Sequence, residues 1–280
     1  MPVSLPSLVT VRRPAGLILA GACLLAASPP PAGAAVASTG LIAGHRVEAV
    51  TVNRPGAPAC IVFENGSRAT VDGWSKVIDA LPPAVSVFAY NRPGYGNSAT
   101  TATPRDGATI VAELRTALQQ QGLKPPYILV GHSLGGLYMQ LFARRYPDEV
   151  GGLVLVDAVY PGVIKKPEDF PLLTRGAKRL FFSSTVNDEI DAIYRTGEQV
   201  AALPAIDDKP VVQLFNRPKG ATAVPVDFGV VNLDPQTAAA VRAMYPHATR
   251  IVLDSDHQMQ GRHAAEVAAT IGALIPAVKQ

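Results

Sequence analysis

The sequence predicts an α/β fold: a mostly parallel central sheet with helices on both faces, and a helical cap insertion. Three observations predict it. Short runs that are apolar at every position alternate with stretches of helical periodicity. Strands of that kind are buried on both faces, the condition of a parallel sheet covered by helices. Glycine and proline punctuate the alternation where helix ends are expected. The beat breaks once, over about 158–209, and then resumes. An insertion of that length reads as a lid or cap over a site, or else as a helix-rich decoration with no part in substrate choice.

The elements follow in chain order. Residues 1–34 carry Arg12 and Arg13, then the apolar run "AGLILAGACLLAA", then small residues ending at Ala32-Gly33-Ala34. That order is a secretory signal, removed from the mature protein. Ala35-Val36-Ala37 offers a second cleavage point, after residue 37. The apolar run is about 13 residues, short of the roughly 20 that cross a bilayer, so the mature chain is expected to have no stable membrane span. The protein is expected to be secreted or periplasmic, with residues 40–280 as its one folded domain.

Within that domain "HRVEAVTV" (45–52) alternates and reads as an edge strand. "ACIVFEN" (59–65) is a buried strand. "VDGWSKVIDAL" (71–81) reads as a helix with Trp74, Val77, Ile78 and Leu81 on one face. "VSVFAYN" (85–91) is a strand followed by the loop "NRPGYGNS". A helix is expected over 106–122, a strand over 127–131, a helix over 134–147 ended by Pro147, and a strand over 152–158. After the insertion come a strand (210–215), a helix (234–246), a strand and loop (248–257) and a last helix (264–275). In the insertion Phe170, Leu172, Leu173, Leu180, Phe181 and Phe182 either pack the cap onto the domain or line an apolar acyl pocket.

Composition narrows the function classes. The chain is 48% hydrophobic and 17% charged, with a net charge of +3, which excludes a disordered chain. Its lysines and arginines are scattered, so no nucleic-acid footprint is expected. Cys23 leaves with the signal, and Cys60 stands alone in a buried strand as an inert thiol. No Cys/His spacing suits a metal.

One motif carries chemistry. In "ILVGHSLGGLYMQ" (128–140) a buried strand gives way to a helix through Gly131-His132-Ser133-Leu134-Gly135. This is G-x-S-x-G in the strand–turn–helix context it requires. A nucleophile at such a corner sits in strained backbone, and glycines two residues before and after remove side chains that would collide. The corner lifts the Ser133 hydroxyl off the sheet and sets it at a helix N-terminus, where developing negative charge is stabilised.

With "FENGS", "YNRPGYGNS", "VGHSLGG" and "LFARRYPDEVGGLVLVDA" in this order, the chain resembles the α/β-hydrolase family over most of residues 40–280. Asn91 stands where the family usually has Asp. The family order of serine, acid and histidine places the base after Ser133. His257, just beyond the last predicted strand, is at the family position. His247 lies at the wrong end of that strand, His263 starts the last helix, and His132 lines the elbow. The acid is Asp157, at the end of "LVLVD", as in branches resembling haloalkane dehalogenases. Asp227 is the alternative, as the first Asp beyond the later strand, after which Asn216 and Arg217 stand where an acid could. The resemblance also implies an oxyanion hole made by the backbone N–H groups of Leu134 and Ser67. Asn65-Gly66 replaces the usual His-Gly pair there.

These residues predict a serine hydrolase acting on a small-molecule acyl substrate, a carboxylic ester before a thioester, lactone or amide, with no metal or organic cofactor. Epoxide and haloalkane hydrolysis are disfavoured because the resembling enzymes use Asp where this chain has Ser133. An acyltransferase, or a ligand-binding protein with an idle triad, are the alternatives on the same fold.

Overall fold

In the computed structural model the residues described are 36–163, 166, 168, 172, 179–217 and 235–275. Residues 1–34, expected to be a signal, and Asp227 lie outside them, as do Phe170 and Leu173.

Among the described residues eight strands form one sheet. They are β1 (Ser38–Ile42), β2 (His45–Val52), β3 (Cys60–Glu64), β4 (Ser86–Tyr90), β5 (Tyr127–His132), β6 (Val150–Val156), β7 (Val211–Asn216) and β8 (Thr249–Leu253). Their order across the sheet is β1-β2-β4-β3-β5-β6-β7-β8. The β1/β2 and β2/β4 pairs are antiparallel, and every other pair is parallel. β1 was not expected from the sequence. Four of its five residues are exposed, so it carries no apolar pattern to read.

The continuous apolar strands are buried on both sides, one residue to each face in turn. On β3, Cys60 and Val62 join the core that includes Leu114, Leu137 and Phe142, whereas Ile61 and Phe63 join the core around Trp74, Val77 and Ile271. β5 and β6 divide in the same way. Each fully buried aliphatic or aromatic side chain contributes roughly 1.5–3 kcal/mol, so the two layers commit these strands to the middle of the sheet.

The first core is covered by α2 (Gly107–Gln120), α3 (Leu134–Arg145) and α4 (Ser184–Ala201), the other by α1 (Ser75–Asp79) and α7 (Ala264–Gly272). The expected helix over 71–81 is divided: Val71–Trp74 form a 3-10 turn and α1 continues from it. Trp74, Val77 and Leu81 are buried as their spacing predicts. α5 (Pro235–Met244) and the single turn α6 (Met259–Arg262) complete the helices used below. No helix among the described residues is long and apolar enough to cross a membrane.

The insertion between β6 and β7 contains α4, 18 residues long, capped by Ser183 accepting from the Val186 N–H at 3.3 Å. It seats on the domain through close approaches. Thr196 lies over Gly107 and accepts its N–H at 3.0 Å, and Thr185 lies over Gly94, where a Cβ would come within 2.4 Å of its hydroxyl. Among the described residues ahead of α4, Leu172, Leu180 and Phe181 do not pack inward and are 77–84% exposed. Phe182 is half-buried, with the Arg68 guanidinium 5.3 Å from its ring centre.

Candidate active site

The parallel strands all deliver their C-terminal residues to one edge of the sheet, where open α/β sheets place their ligands. Glu64 pairs in register with Gly131, His132 with Val156, and Asn216 with Leu253. The residues that follow, Asn65, Ser133, Asp157 and the loop bearing His257, therefore meet at that edge.

Ser133 occupies φ 53°, ψ −123° between β5 and α3, a conformation that costs a non-glycine residue about 1–3 kcal/mol. Hydrogen bonds hold the corner. The Ser133 N–H donates to Val156 O at 3.1 Å, and its carbonyl accepts from Gly136 and Val159 at 3.0 and 2.9 Å. The elbow glycines are sterically required. A Cβ on Gly131 would stand 2.6 Å from Gly136 Cα, and one on Gly135 would stand 2.3 Å from Glu64 O. Gly136 is equally closed, 2.3 Å from Ala158 Cβ.

Asp157 and His257 are brought together. His257 Nδ1 is 2.7 Å from Asp157 Oδ2. Asp157 is 2% exposed, also at positive φ (42°), with its N–H donating to Leu214 O at 2.8 Å. A carboxylate facing Nδ1 fixes the proton there and leaves Nε2 with its lone pair, the tautomer a base needs. Asn216 Nδ2 donates to the same Oδ2 at 2.8 Å. Asn216 ends the later strand, where an acid could stand, and donates instead to the Asp157 carboxylate on the neighbouring strand.

His132 has a place the sequence did not disclose. Its Nε2 lies 2.7 Å from the His257 carbonyl, and the two rings are 4.6 Å apart. Burial, then the charge of His257, hold the His132 pKa down at about 3. It is neutral, and its proton must be on Nε2 to meet the carbonyl. The remaining histidines lie elsewhere: His45 against Glu113 at 3.2 Å, His247 exposed before β8, and His263 at the start of α7 near Glu266.

On the facing loop, Gly66 packs so close that a Cβ would be 3.0 Å from Ser133 Cβ. Among the described residues, neither the Leu134 nor the Ser67 N–H donates to any acceptor. A polar cleft of about 430 Å³ opens beside this loop, lined by Ser67, Arg68, Trp74, His132, Gln258 and Gln260 among others. Asn91, in place of the usual Asp, accepts the Val71 N–H at 2.7 Å and donates to Glu48 Oε2 at 2.6 Å. An aspartate there would set two carboxylates against each other.

Comparison with known proteins agrees with this architecture. Over 142 residues the chain is 35% identical to the uncharacterized protein YbdG of Bacillus subtilis, covering 46% of this chain and 43% of that one. Over 101 residues it is 35% identical to a human (lyso)-N-acylphosphatidylethanolamine lipase, covering 35% and 29%. The matches thus span less than half of these relatives. The crystal structure of haloalkane dehalogenase DbeA from Bradyrhizobium elkani superposes with a TM-score of 0.64 at 15% identity, covering 86% of this chain and 97% of that one. The family model for the alpha/beta hydrolase fold matches residues 59–257, more than two thirds of the sequence, and the chain belongs to the α/β-hydrolase family.

Proposed function

We propose that this protein is a secreted serine hydrolase that cleaves a carboxylic ester through Ser133, His257 and Asp157. The observation that carries the reading is the 2.7 Å contact between His257 Nδ1 and the buried Asp157 carboxylate, on the same sheet edge as the strained Ser133 corner.

A serine hydroxyl is a weak nucleophile at neutral pH and needs a base. His257 Nε2 takes the Ser133 proton as Oγ attacks the carbonyl carbon. The developing imidazolium is stabilised by Asp157, which stays ionised. The tetrahedral oxyanion sits against the N–H groups of Leu134 and Ser67, each worth about 3 kcal/mol in such a role. The carbon–oxygen bond to the alcohol then breaks, and the alcohol leaves with the proton from His257. Water gives a proton to His257 and attacks the acyl-Ser133 ester. The second tetrahedral species collapses to release the acid and return the proton to Ser133. The residues need no metal or organic cofactor for any step. The signal-like segment 1–34 supports export of the mature domain, and the insertion before β7 is proposed to cap the site.

The test is pre-steady-state turnover of p-nitrophenyl esters of graded acyl length. A nitrophenol burst equal to the enzyme concentration, absent in Ser133→Ala, is the expected result. Asp157→Asn should lower kcat by about 10⁴-fold, because it favours the wrong histidine tautomer. Full activity in Asp157→Asn with loss in Asp227→Asn would move the acid to the other position. No burst from folded protein on any ester would remove the esterase reading.

A further inference from the structure

We propose that Arg92 is a positioning residue for the oxyanion loop, and that Glu189 of the insertion helix α4 holds it in place. The inference rests on the esterase reading above and deepens it. Arg92 is 1% exposed and lies between two fully buried carboxylates, Glu64 and Glu189.

All five of its N–H donors are used. Nη1 donates to Glu64 Oε1 at 2.6 Å and to Asn65 O at 2.7 Å. Nη2 donates to Gly66 O at 3.2 Å and to Glu189 Oε2 at 2.9 Å, and Nε donates to Glu189 Oε1 at 2.9 Å. Two tyrosines fix the carboxylates: Tyr90 Oη donates to Glu64 and Tyr95 Oη to Glu189, both at 2.7 Å. The guanidinium also faces the rings of Tyr95 and Tyr138.

The two carbonyls that Arg92 grips belong to the oxyanion loop. Gly66 C=O and Ser67 N–H are the two ends of one peptide unit. In a trans peptide they point in opposite directions within one plane. Binding the oxygen to Arg92 therefore turns the Ser67 N–H away from Arg92 and fixes its direction. It also polarises the amide, which strengthens the donor.

A buried ion pair is weak evidence for stability, since apolar residues of similar volume usually serve as well. Here the geometry gives the pair another task. The planar guanidinium fork spans two successive carbonyls and a bidentate carboxylate at once, which the point charge of a lysine does not. Because Glu189 belongs to the insertion, displacing α4 withdraws the partner of Nε and Nη2 and releases the Gly66 carbonyl. The insertion and the oxyanion loop thus act as one unit.

The experiment compares Glu189→Gln with Thr196→Val in the full chain, on a p-nitrophenyl ester turned over by the wild type. Thr196→Val loosens the same helix at Gly107 without touching Arg92. Glu189→Gln is expected to lower kcat by about 10-fold or more with KM within about twofold, a fraction of the 10²–10³ lost when an oxyanion donor is deleted. Affinity for an arylboronic acid, whose tetrahedral adduct needs the same donors, is expected to fall in parallel, with the pH midpoint of kcat unmoved. Thr196→Val is expected to lower the melting temperature and leave kcat within twofold. If Glu189→Gln fails to fold, Glu189→Asp, which keeps the charge and shortens the reach, reads the same split. An active wild type with kcat unchanged in the Glu189 variant, or falling equally in both, overturns the positioning role alone. A wild type that turns over no ester overturns both readings.

Discussion

Lowering the pH from 8 to 5 should remove about 2 kcal/mol of folding stability through His132 alone. In the folded protein its pKa is held from the usual 6.5 down to about 3, first by burial and then by the charge of His257. In the unfolded chain it titrates near 6.5. Between those two values the unfolded state binds a proton that the folded state does not, so stability rises with pH across the window. The contribution is whole above about pH 6.5, and it is lost as the pH falls toward 3. At 1.36 kcal/mol per unit, the part lost by pH 5 is about 2 kcal/mol, and by pH 3 it is about 4 kcal/mol. The assay is urea unfolding at pH 8, 6.5 and 5 for the wild type and His132→Gln, whose amide reaches the His257 carbonyl but does not titrate. Histidines common to both proteins cancel in the difference. Wild type and His132→Gln losing equal stability between pH 8 and 5, within about 0.5 kcal/mol, would refute the reasoning.

Other changes test the same geometry. Gly135→Ala drives a Cβ into the Glu64 and Asn65 carbonyls at 2.3 and 2.6 Å; soluble yield and circular dichroism should show a chain that fails to fold or loses the elbow. Asn91→Asp puts a carboxylate against Glu48 Oε2 in place of a 2.6 Å donor, and should cost roughly 1–3 kcal/mol in denaturant unfolding at pH 8, with part recovered at pH 4.5. Asn216→Leu takes away the second donor to Asp157 Oδ2; kcat on a nitrophenyl ester should fall about 10-fold, less than in Asp157→Asn. Cys60 is 1% exposed and burial pushes its thiol pKa up to about 12, so in a Cys23→Ser background one thiol should react with Ellman's reagent after unfolding and none before.

The sequence made the central strands and the elbow readable for local reasons. Parallel strands buried on both faces must be apolar at every position, and the runs at 59–65, 127–131 and 152–158 needed no partner to be recognised. The elbow was readable because one of its collisions, between Gly131 and Gly136, is local to the strand–turn–helix corner, although Gly135 and Gly136 also answer Glu64 and Ala158 far off in the chain. β1 was not readable, because an exposed edge strand imposes no pattern. Asn216, His132 and Arg92 were hidden for a different reason. Each is polar, as loop residues commonly are, and its role lies in what it meets 59, 125 or 97 positions away. A single sequence carries the identity of such a residue and not its partner.

The strain at the site shows how the core and the chemistry depend on each other. Ser133 (φ 53°), Asp157 (φ 42°) and Arg68 (φ 62°) are three of the four non-glycine residues at positive φ among those described. Each is about 1–3 kcal/mol above a relaxed backbone. None would hold that conformation in an isolated strand and turn. Ser133 and Asp157 each follow a strand whose neighbours on both sides are paired, and their N–H groups donate to Val156 and Leu214 on adjacent strands. The parallel core therefore does more than bury apolar area. Its rigid edge keeps the two strained corners side by side at the ends of adjacent strands. Softening the core beneath them, for example by Leu129→Ala at about 2–5 kcal/mol, should then lower kcat at temperatures well below the melting transition. Activity and circular dichroism measured against temperature separate that outcome from simple unfolding, in which the two curves would fall together.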